Sequence, residues 1–184
     1  QLKGMPRVLP QENLMSLENQ RFQSYDAPDL QGKTAIVTDG HEGLGYQTVI
    51  ELVKKGAHVF IAADSIDKAL HAMRTVAGEV GKGAQIDFLE LDLLDLNQIR
   101  KSIEAFLKRG IAIDILINNS TSLNEQNPGQ QFVAKQQFDI YAGHFLLTNL
   151  LLPALVQAGQ GARIINVDPR LDSMVAFDGI NWKI

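Results

Sequence analysis

The apolar run Ala35-Ile36-Val37 passes through Thr38 directly into a glycine-bearing turn, Asp39 to Gly45, and a helical pattern begins at once. A strand that ends in glycines and re-enters as a helix serves few purposes. Small residues let the backbone approach a ligand closely, and the new helix offers unpaired N–H groups with partial positive charge. Together they make a seat for a phosphate. The turn departs from that scheme at one place: Asp39 stands where the first glycine is expected, and its carboxylate lies close to where phosphates would sit.

The remainder alternates. After Thr34–Thr38 as a strand, the spacing predicts a helix over Gly43–Lys55 with Leu44, Val49, Leu52 and Val53 inward, closed by Gly56 as a C-cap. Further strands are expected at 57–63, 85–91, 114–118 and 162–167, and helices at 66–80, 96–109 and 136–157. Continuous Val/Ile/Leu strands separated by helices mean a parallel sheet covered on both faces, a doubly wound α/β domain. That domain spans residues 30–184. Residues 1–29 carry no strand signal and read as an N-terminal arm, in which Leu14, Met15, Leu17 and Phe22 line a short helix.

Composition narrows the alternatives. The chain has 184 residues, a formal net charge of −4 and no block of like charge, which argues against a nucleic-acid partner. It has no cysteine, so disulfides and thiolate metal sites are excluded. Its four histidines are scattered without metal-ligand spacing, so no metal is expected. The longest apolar stretch, Phe145 to Val156, is interrupted by Thr148, Asn149 and Pro153 and is short for a membrane span. The compartment is not encoded, and a soluble intracellular protein is the expectation. Residue 1 is Gln, so the chain is expected to be processed or incomplete.

A series of markers now stands in order. It comprises Gly32-Lys33, Thr38 with Gly43-Leu44-Gly45, Lys55-Gly56-Ala57, Leu91-Asp92-Leu93, Asp114-Ile-Leu-Ile-Asn-Asn119, Gly143-His-Phe-Leu-Leu-Thr-Asn149 and Arg163-Ile-Ile-Asn-Val167. In this the chain resembles the short-chain dehydrogenase/reductase family, in its retinol-dehydrogenase-like and WW-domain-oxidoreductase-like branch. The resemblance implies a Rossmann-type sheet in three αβα layers that lacks the family's last strands and helices.

It also implies a dinucleotide site. Gly40, Gly43, Leu44 and Gly45 correspond to the family's glycine turn, Asp92 and Leu93 to its adenine-contacting pair, and Asn118 to the asparagine whose backbone lines the adenosine side. Asp64 falls at the end of the second strand, where an acidic residue selects NAD by binding ribose hydroxyls and an Arg would accept the NADP phosphate. With Glu42 also acidic, NADP(H) is disfavoured and NAD(H), bound weakly or lost, is the expected cofactor. Asp92 reads equally well as a strand-end cap, and Asp39 as a cap of its own turn.

The catalytic set implied by the resemblance is not present in these residues, and none is assigned. Ile140 replaces the relay asparagine, Thr121 the glycine beyond the fourth strand, and Asp168-Pro169 the serines after the fifth. No Tyr with a Lys four residues later follows. Tyr141 reads as a packing residue, and Ser173 as a remote candidate hydroxyl. The leading expectation is therefore a scaffold that has lost dehydrogenase chemistry and acts as a binding, structural or regulatory subunit. A protein partner or a second copy would then cover the open edge of the fifth strand. The alternatives are an NAD(P)(H)-dependent oxidoreductase whose Tyr and Lys lie beyond Ile184, and a non-redox isomerase or cyclase that reuses the pocket.

Overall fold

The computed structural model describes residues 27–119 and 130–167, with side chains in the second stretch described from residue 138 onward. Residues 1–26 of the N-terminal arm, Ser120, Thr121, Asp168, Pro169, Ser173 and the segment Phe177 to Lys183 lie outside the described residues. Five parallel strands, β1 (Thr34–Thr38), β2 (His58–Ala63), β3 (Gln85–Glu90), β4 (Ile115–Asn118) and β5 (Arg163–Asn166), lie in the order β3-β2-β1-β4-β5. Helices α1 (Gly43–Lys54), α2 (Ile66–Val80), α3 (Leu96–Leu107) and α4 (Gln130–Gln157) connect them.

The side-chain alternation of each strand builds two cores. Ala35, Val37, Val59, Ile61 and Ile117 point to one face, where they bury with Val49 and Val53 of α1 and Ala69, Ala72 and Val76 of α2. Ile36, Phe60 and Leu116 point to the other and meet Ile99, Ile103 and Phe106 of α3 and Ile140, Leu147 and Leu151 of α4. A sheet loaded on both faces by crossover helices is the doubly wound, three-layer arrangement the sequence predicts.

Local signals hold at the helix ends. Gly56, at φ +89°, ends α1, with its N–H on Val53 O (2.9 Å) and Ala57 N–H on Leu52 O (3.1 Å). This pair of bonds is a Schellman closure, which needs a left-handed residue. Ser65 caps α2, and Asp95 caps α3 through the N–H groups of Asn97 and Gln98.

Four expectations need correction. Leu44 is 64% exposed, because it lies one position before Gly45 and so beside the buried stripe of Gly45, Val49, Ile50 and Val53. Tyr141 is 62% exposed and is not a packing residue; it lies one position past Ile140, so it turns off the buried stripe of α4. The expectation of a sheet covered on both faces does not extend to β5, whose four residues are all exposed, Ile164 and Ile165 by 43% and 44%. Finally, α4 starts at Gln130 and runs through Pro153, which gives a stretch, Phe138–Gln157, long and apolar enough by length and composition alone to cross a membrane. Leu147, Leu151, Ala154 and Leu155 of that stretch are nevertheless buried in the core beside the sheet.

Candidate dinucleotide site

Strand order reverses at β1. The chain steps outward through β2 and β3 on one side and through β4 and β5 on the other. The loops leaving the carboxyl ends of β1 and β4 therefore diverge and open a crevice, where ligands of open α/β sheets bind. The predicted residues gather around that crevice: the turn 39–45 after β1, Asp64 after β2, Asp92 and Leu93 after β3, and Asn118 at the end of β4.

The turn is built by steric fit as much as by flexibility. Asp39 has φ +49°, a left-handed conformation that Asp tolerates better than most residues, so the substitution for glycine preserves the path of the chain. Its N–H is held by Ala62 O at 2.8 Å. Gly40 serves packing, since a Cβ there would lie 2.9 Å from Val49 Cγ2 and 3.2 Å from Val37 O. Gly43, at φ +54°, faces open space, as an approach surface for a ligand should. A Cβ on Gly45 would lie 2.5 Å from both Asn119 Nδ2 and Asp39 O.

The N-terminus of α1 begins here. Glu42 is the N-cap residue, yet its side chain makes no cap hydrogen bond. The earliest helical bond is Tyr46 N–H to Glu42 O at 3.0 Å, which leaves the N–H groups of Gly43, Leu44 and Gly45 without helical acceptors. Beside them His41 has a side chain only 4% exposed, and neither ring nitrogen has a hydrogen-bond partner. Its Nε2 is 3.8 Å from Glu42 Oε1, outside hydrogen-bond range. Uncapped N–H groups beside an orphaned imidazole match an anionic ligand at this turn.

The other predicted residues divide by what they can offer. Asp64 is exposed just past β2, free of core packing. Asp92 turns its Oδ1 onto Leu94 N–H (2.9 Å), the capping role allowed for it, while its own N–H is taken by Gln98 Oε1 at 2.9 Å. Leu93 is buried in the core, so only its backbone lines the crevice. Asn118 is also buried, and its Nδ2 donates to Thr148 Oγ1 (3.1 Å) and to Asn166 Oδ1 (2.8 Å), tying β4 to α4 and β5. Ile140 packs in the apolar core.

Sequence reading overlooked the hub of the crevice. Thr38 Oγ1 accepts the N–H of Asn119 at 2.8 Å, and Asn119 Nδ2 donates to Thr38 O at 3.0 Å. His144 Nε2 of α4 lies 3.0 Å from the same hydroxyl. Burial pushes the His144 ring pKa down to about 4, which keeps the imidazole neutral at physiological pH. Only the recurrence of Gly143, His144, Leu147 and Leu151 on one helical face hinted at this; the partner strand is over a hundred residues away in sequence.

The family profile of short chain dehydrogenases matches residues 33–181. The chain is a member of the short-chain dehydrogenase/reductase family. A short-chain dehydrogenase/reductase of Armillaria gallica is 38% identical over 166 residues, covering 86% of this chain and 52% of that protein. Retinol dehydrogenase 13 of Mus musculus is 35% identical over 156 residues, covering 83% and 46%. This supports the retinol-dehydrogenase-like branch, and the chain spans about half the length of these relatives. The fold matches L-sorbose reductase of Gluconobacter frateurii, solved with NADPH and L-sorbose, at a TM-score of 0.58 and 21% identity over 71% of this chain and 50% of that one. The relatives are named as dehydrogenases and reductases, which favours the oxidoreductase alternative over a scaffold without redox chemistry. Among the described residues no group of three His, Cys, Asp or Glu could hold a metal ion.

Proposed function

We propose that this chain is the dinucleotide-binding part of an NAD(P)(H)-dependent short-chain oxidoreductase that interconverts an alcohol and a carbonyl compound. The carrying observation is the uncapped start of α1 at the strand-order reversal, with Gly43 open to solvent and His41 orphaned beside it. The N–H groups of Gly43, Leu44 and Gly45 would hold the diphosphate, Asp64 the adenosine ribose, and the backbone of Asp92, Leu93 and Asn118 the adenine side. The dinucleotide, when bound, supplies or accepts the hydride exchanged with the substrate carbon. The proton donor of the reaction, a Tyr supported by a Lys, belongs in this reading to sequence following Ile184. Ile140 cannot bind a relay water, so turnover is slow.

NAD(H) is favoured over NADP(H). Asp64 and Glu42 are both exposed at the crevice, and either would face the extra phosphate of NADP(H). Like charges about 4 Å apart repel by about 1 kcal/mol in water and more where shielded. Titration of the protein with NADH and with NADPH, followed by nicotinamide fluorescence, tests both parts of the reading. Tighter binding of NADH supports it, equal or tighter binding of NADPH overturns the cofactor assignment, and binding of neither overturns the dinucleotide site.

A further inference from the structure

Helix α4 touches the crevice from behind at two adjacent residues. Gly143 lies against the backbone of Leu93, so closely that a Cβ there would collide with Leu93 O. His144 reaches Thr38 Oγ1 at 3.0 Å, and Thr38 in turn holds Asn119, whose Nδ2 occupies the space left by the missing side chain of Gly45. One turn of helix is thus in register with the loop after β3, the end of β1, the end of β4 and the start of α1.

We propose that Gly143 and His144 are positioning residues that fix the separation between the glycine turn and the Leu91–Leu93 loop, and thereby set the affinity for the dinucleotide. The inference rests on the dinucleotide reading above. Neither residue touches the ligand. Their effect passes through Thr38 and Asn119, because a hydroxyl that accepts the Asn119 N–H can still engage His144 with its own proton or second lone pair. Hydrogen bonds of this buried kind form a unit, so losing one member loosens the others.

The test measures NADH and ADP-ribose affinity by calorimetry on the full chain, alongside Tm and amide hydrogen exchange at Asn119. His144→Phe keeps the bulk and removes the nitrogen, Thr38→Val removes the hydroxyl, and His144→Gln restores a polar group at the Nε2 position. Leu147→Val, in the apolar core of the same helix, controls for general loosening of α4. The expected result is binding weakened about fivefold to tenfold by His144→Phe and by Thr38→Val, with no further loss in the double variant. His144→Gln recovers most of the affinity, Asn119 exchange quickens in His144→Phe, and Leu147→Val lowers Tm without changing affinity. Unchanged affinity in His144→Phe, or equal weakening by Leu147→Val, overturns the positioning role and leaves the dinucleotide site standing. If His144→Phe fails to fold, Thr38→Val and His144→Gln decide the question. Absence of binding by the unsubstituted protein removes both readings together.

Discussion

The side-chain amide of Asn119 fills the space in front of Gly45: its Nδ2 lies 2.5 Å from where a Cβ on that glycine would stand. The end of β4 and the start of α1 therefore interlock through an absent side chain. The other close neighbour is the backbone carbonyl of Asp39, also 2.5 Å away, which cannot rotate out of the way. Gly45→Ala should force the turn open, at a cost of about 1–3 kcal/mol in urea unfolding, and weaken NADH binding by about tenfold or more. Gly43→Ala has no such clash and should cost only about 1 kcal/mol of backbone strain, with a smaller effect on affinity.

Asp39 offers a cleaner electrostatic test. Its backbone already follows the left-handed path of a glycine at φ +49°, so Asp39→Gly should leave the fold intact and change stability by less than about 1 kcal/mol. Removing a carboxylate from the turn that would hold the diphosphate should tighten NADH binding by about fivefold or more at low salt. The gain should shrink as salt is raised, which isothermal titration at two ionic strengths would show.

Stability should fall on mild acidification. The His144 ring pKa is about 4 in the folded chain against 6.5 when unfolded, with burial as the cause. Between those values the unfolded chain takes up a proton that the folded chain refuses. This contribution to stability is therefore complete above pH 6.5 and is lost progressively as pH falls toward 4. It amounts to about 3 kcal/mol over the window. Urea unfolding of wild type and His144→Gln between these limits should show the slope and its reduction in the variant.

Gly143 tests the seating of α4. The backbone of Leu93 leaves no room for a methyl group, and the buried side chain of Leu93 anchors that backbone in the core. Gly143→Ala should destabilise the protein by about 1–3 kcal/mol despite the better helix propensity of alanine. An equilibrium unfolding curve at or above wild-type stability would show that the helix can slide without cost.

The strands and helices were legible because each local signal agreed with the next. Val/Ile runs marked β1, β2 and β4, and Gly56 marked the end of α1. Element boundaries moved by only a residue or two, apart from the start of α4. The candidate crevice was also legible, since its residues follow strand ends in order. The exposure of Leu44 and Tyr141 was not, because each sits one position beside a buried stripe, and the width of that stripe is set by the packing of the helix on the sheet.

By itself the sequence determined the α/β alternation, the strand-to-helix glycine turn and the acidic character of the crevice, all of which are properties of neighbouring residues. Only the tertiary structure decided that His144, Thr38 and Asn119 meet, that Asn119 fills the space before Gly45, and that Leu93 offers backbone rather than side chain. Such contacts join residues far apart in the chain. They exist only once the sheet order places β4 beside β1 and packing drives α4 down behind both, so no local pattern could carry them.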